Sequence, residues 1–580
     1  MRTPTVQQTL HRHLPSFFRS HLESLSGIGL MLGTLFFAAA LTPTLIPRTH
    51  VTQGVLAGAC FAAGYGLGVL WHWLWAYMEL PEPKGRAARL INAGIGLLCL
   101  GVAIVFLGRA AEWQNTIRAL MQMEPVTSAH PVKVSIIALL TFAVLLALAR
   151  LFKRFARFVA RQVRRVVPRR VANVTGAAIA ILIFWLLATD VFFRGALHVL
   201  DSSFREFDAL LEPERPQPTA DLKTGGPQSL VRWNELGRAG REYIASGPTA
   251  SEIQRQSGRD AKEPIRVYVG LRGASTPQAR ARLALDEMKR VGAFERSVLV
   301  VITPTGTGWI DPAAADSLEY LLHGDVASVA MQYSYLSSPL SLLAQPEYGA
   351  EAARALFLAV YEHWTSLPKD RRPRLYLHGL SLGAKNSAGS AELFEMIGDP
   401  IQGALWSGPP FESRVWRTIT DARNPGSPAW LPELRDGAFV RFMNQYGSPV
   451  PDDAPWGPMR VVYLQYASDP VTFFDYRDLY RRPAWMNEPM GPDVSPELRW
   501  YPVVTMLQLA LDMAVGTNTP MGYGHVFAPQ HYVDAWVAVT GVNDWSPDAL
   551  AGLKRYLLER AQASMEDEQG SEGAYEGRGG

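Results

Sequence analysis

The chain has 580 residues, 19% of them charged, and its formal net charge is +3 at pH 7. A length of this order predicts roughly two to four domains. The excess positive charge lies in the N-terminal part between apolar segments, which gives no reason to expect nucleic-acid binding. Because Cys60 and Cys99 are the only cysteines, the C-terminal part cannot hold a disulfide or a cysteine-based zinc site. We expect neither a metal nor a cofactor.

Long uncharged runs in the first 200 residues predict a multispan α-helical membrane domain. A helix needs roughly 20 apolar residues to cross a bilayer. A buried helix of a soluble protein could imitate one such run, but five in succession, with charged connections, favour membrane insertion. The five predicted transmembrane helices lie near residues 26–47, 52–78, 89–108, 132–152 and 172–193.

Basic residues in the connections predict the orientation of these helices, because short cytoplasmic loops retain Lys and Arg. The N-terminal segment contributes Arg2, Arg12 and Arg19, which favours a cytoplasmic N-terminus. An odd number of spans then places everything after about residue 194 in the periplasm or outside the cell. The connection before the fifth span is also suited to lie on the anionic inner surface. Its basic residues are Arg150, Lys153, Arg154, Arg157, Arg161, Arg164, Arg165, Arg169 and Arg170.

The remainder of the chain reads as a linker, a soluble domain and a tail. Residues 201–262 are polar and contain EPERPQP and KTGGPQS, which predict a linker. Across 263–563, apolar strands alternate with amphipathic helices, which predicts an α/β domain with a mostly parallel sheet and helices on both faces. The acidic, glycine-rich residues 564–580 are predicted to be disordered. The predicted strands are 266–271, 297–303, 326–334, 374–378, 403–408 and 460–466.

Residues 374–387, RLYLHGLSLGAKNS, have the pattern of a nucleophile elbow. Such an elbow holds a serine on a strained turn between a strand and a helix, and glycines flank it because side chains there would meet neighbouring backbone. A G-x-S-x-G match can arise by chance in a chain with 49 glycines. Its position between an apolar strand and a helix-forming run nevertheless favours Ser381 as a nucleophile.

A serine hydroxyl is a poor nucleophile unless a base takes its proton, and an imidazole oriented by a carboxylate does this. In a parallel sheet, catalytic groups belong at the carboxyl ends of the strands. Asp469 follows a predicted strand within YASDP, although a turn-forming aspartate before proline would look the same. Asp475, Asp452 and Asp453 are the competing carboxylates.

His525 is the candidate base, because it lies in the glycine-flanked loop MGYGHVF near the end of the domain. His531 is its main rival, but it opens the next helix and is more simply a surface or capping residue. His378 precedes the nucleophile in its strand and is expected to pack beside the site. The chain order Ser381, Asp469, His525 is the serine, acid, histidine order of α/β-hydrolases.

The oxyanion hole is predicted to combine the backbone amide of Leu382 with amides of the loop after the strand two before the elbow strand. That loop contains Thr305, Gly306 and Thr307. A flexible surface turn would have a similar composition. A phosphate-binding loop would need Lys and Ser or Thr after the glycines, and because Trp309 stands there we exclude nucleotide binding.

Several segments resemble the bacterial membrane-anchored alpha/beta-hydrolase 9 family. The resemblance implies a multi-pass protein of the bacterial inner membrane. Its multispan N-terminal domain would be followed by a serine hydrolase-like domain with the α/β-hydrolase fold over residues 263–563, and no particular substrate is implied. Leu380 stands where the family pattern often has an acidic residue. The segments that carry the resemblance are LTPTLIPR, PIRVYVGL, PTGTGWIDP, DVASVAMQYSYLSSPLSLL, HGLSLG, GALWSGPPF, YLQYASDP and GYGHVFAPQHYVDAW.

These predictions describe acyl transfer through an acyl-Ser381 intermediate. Transfer to water would make the protein an esterase or lipase, and transfer to a lipid hydroxyl would make it an acyltransferase. Attachment to the membrane favours a lipid or cell-envelope ester as the substrate, because it keeps the site close to such molecules.

Two functions of other classes stay open at this point. The chain could be a transport or channel protein whose hydrolase-like domain only regulates it, with Asp190 and His72 as polar groups of a pathway. Both residues lie near predicted span ends, where polar groups cost little. The hydrolase-like domain could also be a catalytically inactive scaffold for binding.

Overall fold

The computed structural model describes residues 25–164, 168–186, 208–211, 215–338, 340–341, 346–391, 396–487 and 489–576. The chain forms two compact units. The first combines the N-terminal helices, up to Phe184, with the later segments Tyr476–Pro483 and Val494–Asp512, and the second contains the rest of the chain.

Helices dominate the described part of the chain, and one sheet lies in the second unit. The helices are α1 Gly27–Ala40, α2 His50–Tyr77, α3 Gly85–Leu120, α4 Pro131–Val163, α5 Arg169–Leu186, α6 Gly237–Ala245, α7 Ala250–Ser257, α8 Pro277–Arg290, α9 Pro312–Leu321, α10 Pro346–Ser366, α11 Leu382–Ser390, α12 Arg414–Asp421, α13 Pro470–Phe473, α14 Val504–Ala514, α15 Pro529–Thr540 and α16 Pro547–Glu576. The strands are β1 Ile265–Val269, β2 Val298–Thr303, β3 Val326–Met331, β4 Arg374–Leu380, β5 Gly403–Ser407, β6 Val440–Met443 and β7 Arg460–Leu464.

Within the described ranges, three helices are long and apolar enough to cross a membrane, namely α2, α3 and α4. The prediction of five spans is therefore supported for three of them. Helix α1 is a shorter apolar helix that ends at Ala40, and Pro43 and Pro47, which cannot continue a helix, follow it within the first predicted span. The apolar part of α5 is also short in the described region, Val174–Leu186.

Some predicted features of the membrane part lie outside the described residues, namely Asp190, the end of the fifth predicted span, Arg165 and the N-terminal arginines. The basic segment up to Val163 is continuous with α4, so it extends the fourth predicted span as one helix. The His72 side chain is half-exposed, and its Nε2 lies 4.0 Å from Glu82 Oε1.

A buried ion pair ties α14 to the connection between α1 and α2 within the first unit. Arg48 Nε donates to Asp512 Oδ1 at 2.8 Å, and the two side chains are 1% and 0% exposed. The Gln508 amide donates to the carbonyl of Ala39 at 3.3 Å. Val504 belongs to the same apolar cluster as residues of α1 and α2. Residues 494–512, which the sequence pattern had assigned to the hydrolase domain, thus pack with the N-terminal helices.

The sheet of the second unit is parallel at every strand pair, in the order β1-β3-β2-β4-β5-β7-β6. This confirms the prediction of a mostly parallel sheet. Every residue of β2 and β3 is buried, as expected for strands covered on both faces. Strand β6 was not predicted, because VRFM is short and its Arg441 interrupts the apolar run.

Two regions differ from their predicted character. The segment 201–262, predicted as a linker, contains α6 and α7, and α7 begins with a capping box between Thr249 and Glu252. The acidic segment from 564 is helical as far as Glu576, because Ala, Met, Glu and Gln favour helix there despite the negative charge. The remaining residues, 577–580, lie outside the described ranges.

Candidate active site

Ser381 occupies a strained turn between β4 and α11. Its backbone has φ 56° and ψ −124°, a conformation that costs a non-glycine residue on the order of 1–3 kcal/mol. The Ser381 amide donates to the carbonyl of Ser407 at 2.9 Å, which anchors the turn to the end of β5. The serine therefore stands at the carboxyl end of a central strand, where the fold places catalytic groups.

Gly379 and Gly383, which flank the elbow, must lack side chains because neighbouring backbone atoms lie too close to them. A Cβ at Gly379 would lie 2.4 Å from the carbonyl carbon of Gly383. A Cβ at Gly383 would lie 2.2 Å from the carbonyl oxygen of Thr303, at the end of β2. Both distances are far below van der Waals contact, so the G-x-S-x-G spacing has a steric cause.

Asp469 and His525, 56 residues apart in the chain, meet next to this turn. His525 Nδ1 lies 2.8 Å from Asp469 Oδ2, and the carboxylate is completely buried. Asp469 also caps α13, because its Oδ1 accepts the amide of Val471 at 2.8 Å. Its Oδ2 additionally accepts the hydroxyl of Thr472 at 3.1 Å. The aspartate is thus both the turn former and the imidazole's partner, and when Nδ1 carries the proton, Nε2 is the basic nitrogen.

Ser381 and His525 line one cavity of about 1770 Å³ within the second unit. His525 Nε2 is buried and has no hydrogen-bond partner among the residues that the structure describes. Leu380 is buried and belongs to the cavity wall, so the wall is apolar directly before the nucleophile. The apolar part of the lining includes Leu382, Phe411, Val471, Phe474, Met521 and Phe527.

The competing histidines have other hydrogen-bond partners, and the competing carboxylates lie away from the cavity. His378 Nδ1 lies 2.8 Å from the carbonyl oxygen of Leu405, and burial lowers the pKa of this histidine to about 4. His531 Nδ1 lies 2.7 Å from the hydroxyl of Tyr466, and burial lowers its pKa to about 4 as well. Neither ring lines the cavity, and neither do the carboxylates of Asp475, Asp452 and Asp453, of which the last two are exposed.

The predicted oxyanion groups have different environments. Leu382 is the first residue of α11 and lines the cavity, so its amide belongs to the unpaired first turn of a helix. The Thr305 amide donates to the carbonyl of Trp309 at 2.9 Å. The Gly306 amide donates to the hydroxyl of Ser338 at 3.0 Å, and the Thr307 carbonyl accepts from a glutamine amide. Two of the loop amides are thus already hydrogen-bonded.

Comparison with protein families identifies both parts of the chain. Residues 265–553 match the alpha/beta-hydrolase family, and residues 41–248 match the N-terminal region of the same family. The chain belongs to the alpha/beta-hydrolase 9 family. A hydrolase-like function follows from this membership. Neither the curated proteins nor the solved structures gave a match.

Gly408 is a residue of this alpha/beta-hydrolase site that sequence reasoning missed. A Cβ at this position would lie 2.7 Å from His525 Cε1 and 3.0 Å from Asp469 Oδ2. Its φ of 47° also favours glycine. The available signal was a glycine at the end of the predicted strand 403–408, GALWSG, at the sheet edge that carries the other candidates.

Asp311 is a second residue that the sequence did not single out in the hydrolase domain. It lines the cavity and caps α9 by accepting the amide of Ala313 at 2.9 Å. Burial raises the pKa of its carboxyl group to about 7, despite this hydrogen bond and the attraction of His525. The cavity wall therefore contains a carboxyl group that holds its proton at mildly acidic pH. No group of three or more His, Cys, Asp or Glu side chains that could hold a metal ion is found in the described part of the chain.

We expect Asp311 to make the stability of the protein fall as the pH rises from about 4 to about 7. The folded state binds its proton more tightly than the unfolded state does, so this contribution is full below the unfolded pKa and is lost on passing the folded pKa. Asp311→Asn keeps the helix cap and removes the titration. The free energy of unfolding of this variant, followed through its melting temperature, should therefore rise relative to the wild type between pH 5 and pH 8, by an amount on the order of a few kcal/mol. Asp260→Asn, at an exposed position, is the control and should track the wild type. Parallel curves for Asp311→Asn and wild type would contradict the expectation.

Proposed function

We propose that the protein is a membrane-anchored serine hydrolase or acyltransferase that works through an acyl-Ser381 intermediate on a lipid or cell-envelope ester. One observation carries the proposal: His525 is held 2.8 Å from a buried Asp469 and lines the same cavity as a serine in a strained elbow. Such a constellation activates a serine hydroxyl. Family membership supports the hydrolase class.

In the proposed reaction, Ser381 Oγ attacks the ester carbonyl while His525 Nε2 takes the hydroxyl proton. The resulting imidazolium is stabilised by the carboxylate of Asp469, to which its Nδ1 proton is hydrogen-bonded. When the tetrahedral intermediate collapses, His525 returns the proton to the departing alkoxide and leaves the acyl-serine. Water or a lipid hydroxyl then attacks the acyl-serine, with His525 again as base, and the free serine is regenerated.

Stabilisation of the oxyanion is proposed to come first from the Leu382 amide, at the N-terminus of α11. The amides of Thr305 and Gly306 would have to exchange their present partners to donate as well. The hydroxyl of Ser338 lines the cavity, and because it accepts the Gly306 amide, its own proton can be directed into the cavity.

The lining of the cavity supports an ester with a long acyl chain and a polar alcohol part. Apolar side chains around Ser381 suit the acyl chain, since burying each methylene contributes about 0.8 kcal/mol. Charged side chains farther along the wall are paired, as in Lys223 with Glu263 at 3.2 Å and Arg560 with Asp316 at 3.7 Å. Paired charges donate and accept hydrogen bonds without an excess of positive charge, which suits hydroxyl-rich groups better than anionic ones.

The proposed location is the outer face of a bacterial inner membrane, with a cytoplasmic N-terminus. The apolar helices α2, α3 and α4 support membrane association. The basic connections of the sequence support the orientation. A hydrolase domain attached at that surface would meet lipid or envelope esters at high local concentration.

Labelling with a fluorophosphonate probe tests the proposed mechanism, because the probe reacts covalently with activated serines. We expect the wild-type protein to be labelled and Ser381→Ala to be unlabelled. Ser337→Ala, which changes a serine of the same cavity wall away from the elbow, is the matched control and should be labelled normally. An unlabelled wild type, or a label that persists in Ser381→Ala, would overturn the proposal. Lipid extracts of the same wild-type and Ser381→Ala strains would then identify the ester class that accumulates.

A further inference from the structure

A buried hydroxyl and a buried carboxylate join the two loops that carry Asp469 and His525. Gly524, directly before His525, donates its amide to Ser468 Oγ at 2.9 Å. Ser468, directly before Asp469, donates its hydroxyl to Asp493 Oδ2 at 2.6 Å. Ser468 is 0% exposed and Asp493 is 1% exposed. We call the segment from Gly522 to His525 the histidine loop, and Ser468 with Asp469 the aspartate loop. A continuous chain of hydrogen bonds runs from the histidine loop through the aspartate loop to Asp493.

The same carboxylate oxygen organises the surrounding backbone and a third segment. Asp493 Oδ2 accepts the Ser468 amide at 3.1 Å and the side-chain amide of Gln445 at 2.9 Å. Gln445 in turn donates to the carbonyl of Gly522 at 3.1 Å. The network therefore touches the histidine loop at Gly522 and at Gly524. Because the Ser468 proton is directed at Asp493, a lone pair of its oxygen is directed at the Gly524 amide.

The histidine loop needs such an external anchor. Gly522 and Gly524 have φ values of 92° and 57°, which glycine adopts readily. Glycine also leaves the backbone more conformational freedom than other residues do, so the loop is not held in place by its own residues. A misplacement of a catalytic group by about 1 Å can lower a rate about 100-fold. The 2.8 Å contact between His525 and Asp469 joins two separate loops, and the bond from Gly524 to Ser468 joins them one residue earlier in each loop.

We infer that Asp493 and Ser468 are positioning residues that hold the Asp469 and His525 loops at the distance that acyl transfer requires. This inference rests on the proposed function, because it assigns the pair a role in that reaction. Three donors converge on one buried carboxylate oxygen, an arrangement that compensates the loss of its hydration and fixes its orientation. Asp493 is also the last residue before the chain passes into the segment Val494–Asp512 of the first unit.

The test compares Asp493→Ala and Ser468→Ala with a matched serine and carboxylate pair away from the cavity. Ser229 Oγ donates to the buried Glu287 Oε1 of α8 at 2.7 Å and accepts the Val231 amide at 3.1 Å, so it is a comparable serine-carboxylate contact that joins no loops of the cavity. For each full-length variant, kcat and KM for a p-nitrophenyl ester, the rate of fluorophosphonate labelling and the melting temperature are measured.

We expect kcat and the labelling rate to fall about 10- to 100-fold in Asp493→Ala and Ser468→Ala, with KM little changed. Ser229→Ala and Glu287→Ala should have lower melting temperatures than the wild type, and their kcat per folded molecule should be unchanged. Asp493→Asn keeps an acceptor oxygen and should recover most of the activity. The inference would be overturned if Asp493→Ala and Ser468→Ala were labelled at the wild-type rate, or if the control variants lost as much kcat. Either result would leave the proposed function intact. An unlabelled wild-type protein would overturn the proposed function and the inference with it.

Discussion

Asp469→Asn is expected to lower kcat by about four orders of magnitude while the protein stays folded. The carboxylate holds the His525 Nδ1 proton at 2.8 Å, and this contact sets the tautomer in which Nε2 is basic. An asparagine amide can present a donor to Nδ1 instead, which favours the tautomer with the proton on Nε2 and removes the base. The measurement is steady-state hydrolysis of a p-nitrophenyl ester by the purified full-length protein, with melting temperature as the check on folding.

Asp475→Asn is the control for this substitution. Asp475 lies six residues further along the chain, is partly exposed and does not line the cavity. Its variant should keep kcat within a factor of about three, the ordinary range for a change outside a catalytic site. A large loss of kcat in Asp475→Asn together with a small loss in Asp469→Asn would show that Asp475, and not Asp469, is the acid.

Arg48→Ala is expected to destabilise the first unit by about 3–5 kcal/mol. The substitution leaves the carboxylate of Asp512 completely buried without its guanidinium partner. It also removes the weaker bond from Arg48 to the carbonyl of Gln508 at 3.4 Å. Thermal unfolding of the detergent-solubilised protein measures the effect, which should appear as a lower first transition or as loss of folded protein.

Two further variants interpret that result. Arg109→Ala removes an exposed ion pair of α3 with Glu112, and it should change stability by less than about 1 kcal/mol. A double variant, Arg48→Met with Asp512→Leu, replaces both charges by apolar groups and should be more stable than Arg48→Ala alone. Unfolding of Arg48→Ala at the wild-type temperature would show that the buried pair does not hold α14 in the first unit.

The region that matches the hydrolase family contributes residues to both compact units. The hydrolase family match covers residues 265–553, and the segment Val494–Asp512 within it packs with the N-terminal helices. The chain leaves the second unit after Asp493 and returns at Met513, twelve residues before His525. Helix α14 was predictable from its apolar pattern, but the pattern does not show which core receives it.

Local sequence patterns were sufficient for most strands and for the elbow. Apolar runs bounded by turn residues predicted six of the seven strands found among the described residues. Strand β6 was missed because four residues with an internal arginine make no run. The spacing of Gly379 and Gly383 around Ser381 was readable from the motif itself. The steric requirement at Gly379 acts between residues four apart, whereas that at Gly383 comes from Thr303 at the end of β2. Three of the five predicted spans are supported. The first is not, because a hydropathy window averages over Pro43 and Pro47 where helix α1 has already ended.

The amino-acid sequence alone therefore predicted the parallel sheet, the strained serine and the apolar character of the N-terminal helices, because each can be read from composition or from the pattern of residues along the chain. Only the tertiary structure decided that Asp469 meets His525, that Gly408 must lack a side chain beside them, and that Asp493 anchors both loops. These relations join segments that are tens of residues apart. Distances between such segments arise from the packing of the whole sheet and its loops, and no local pattern of residues records them.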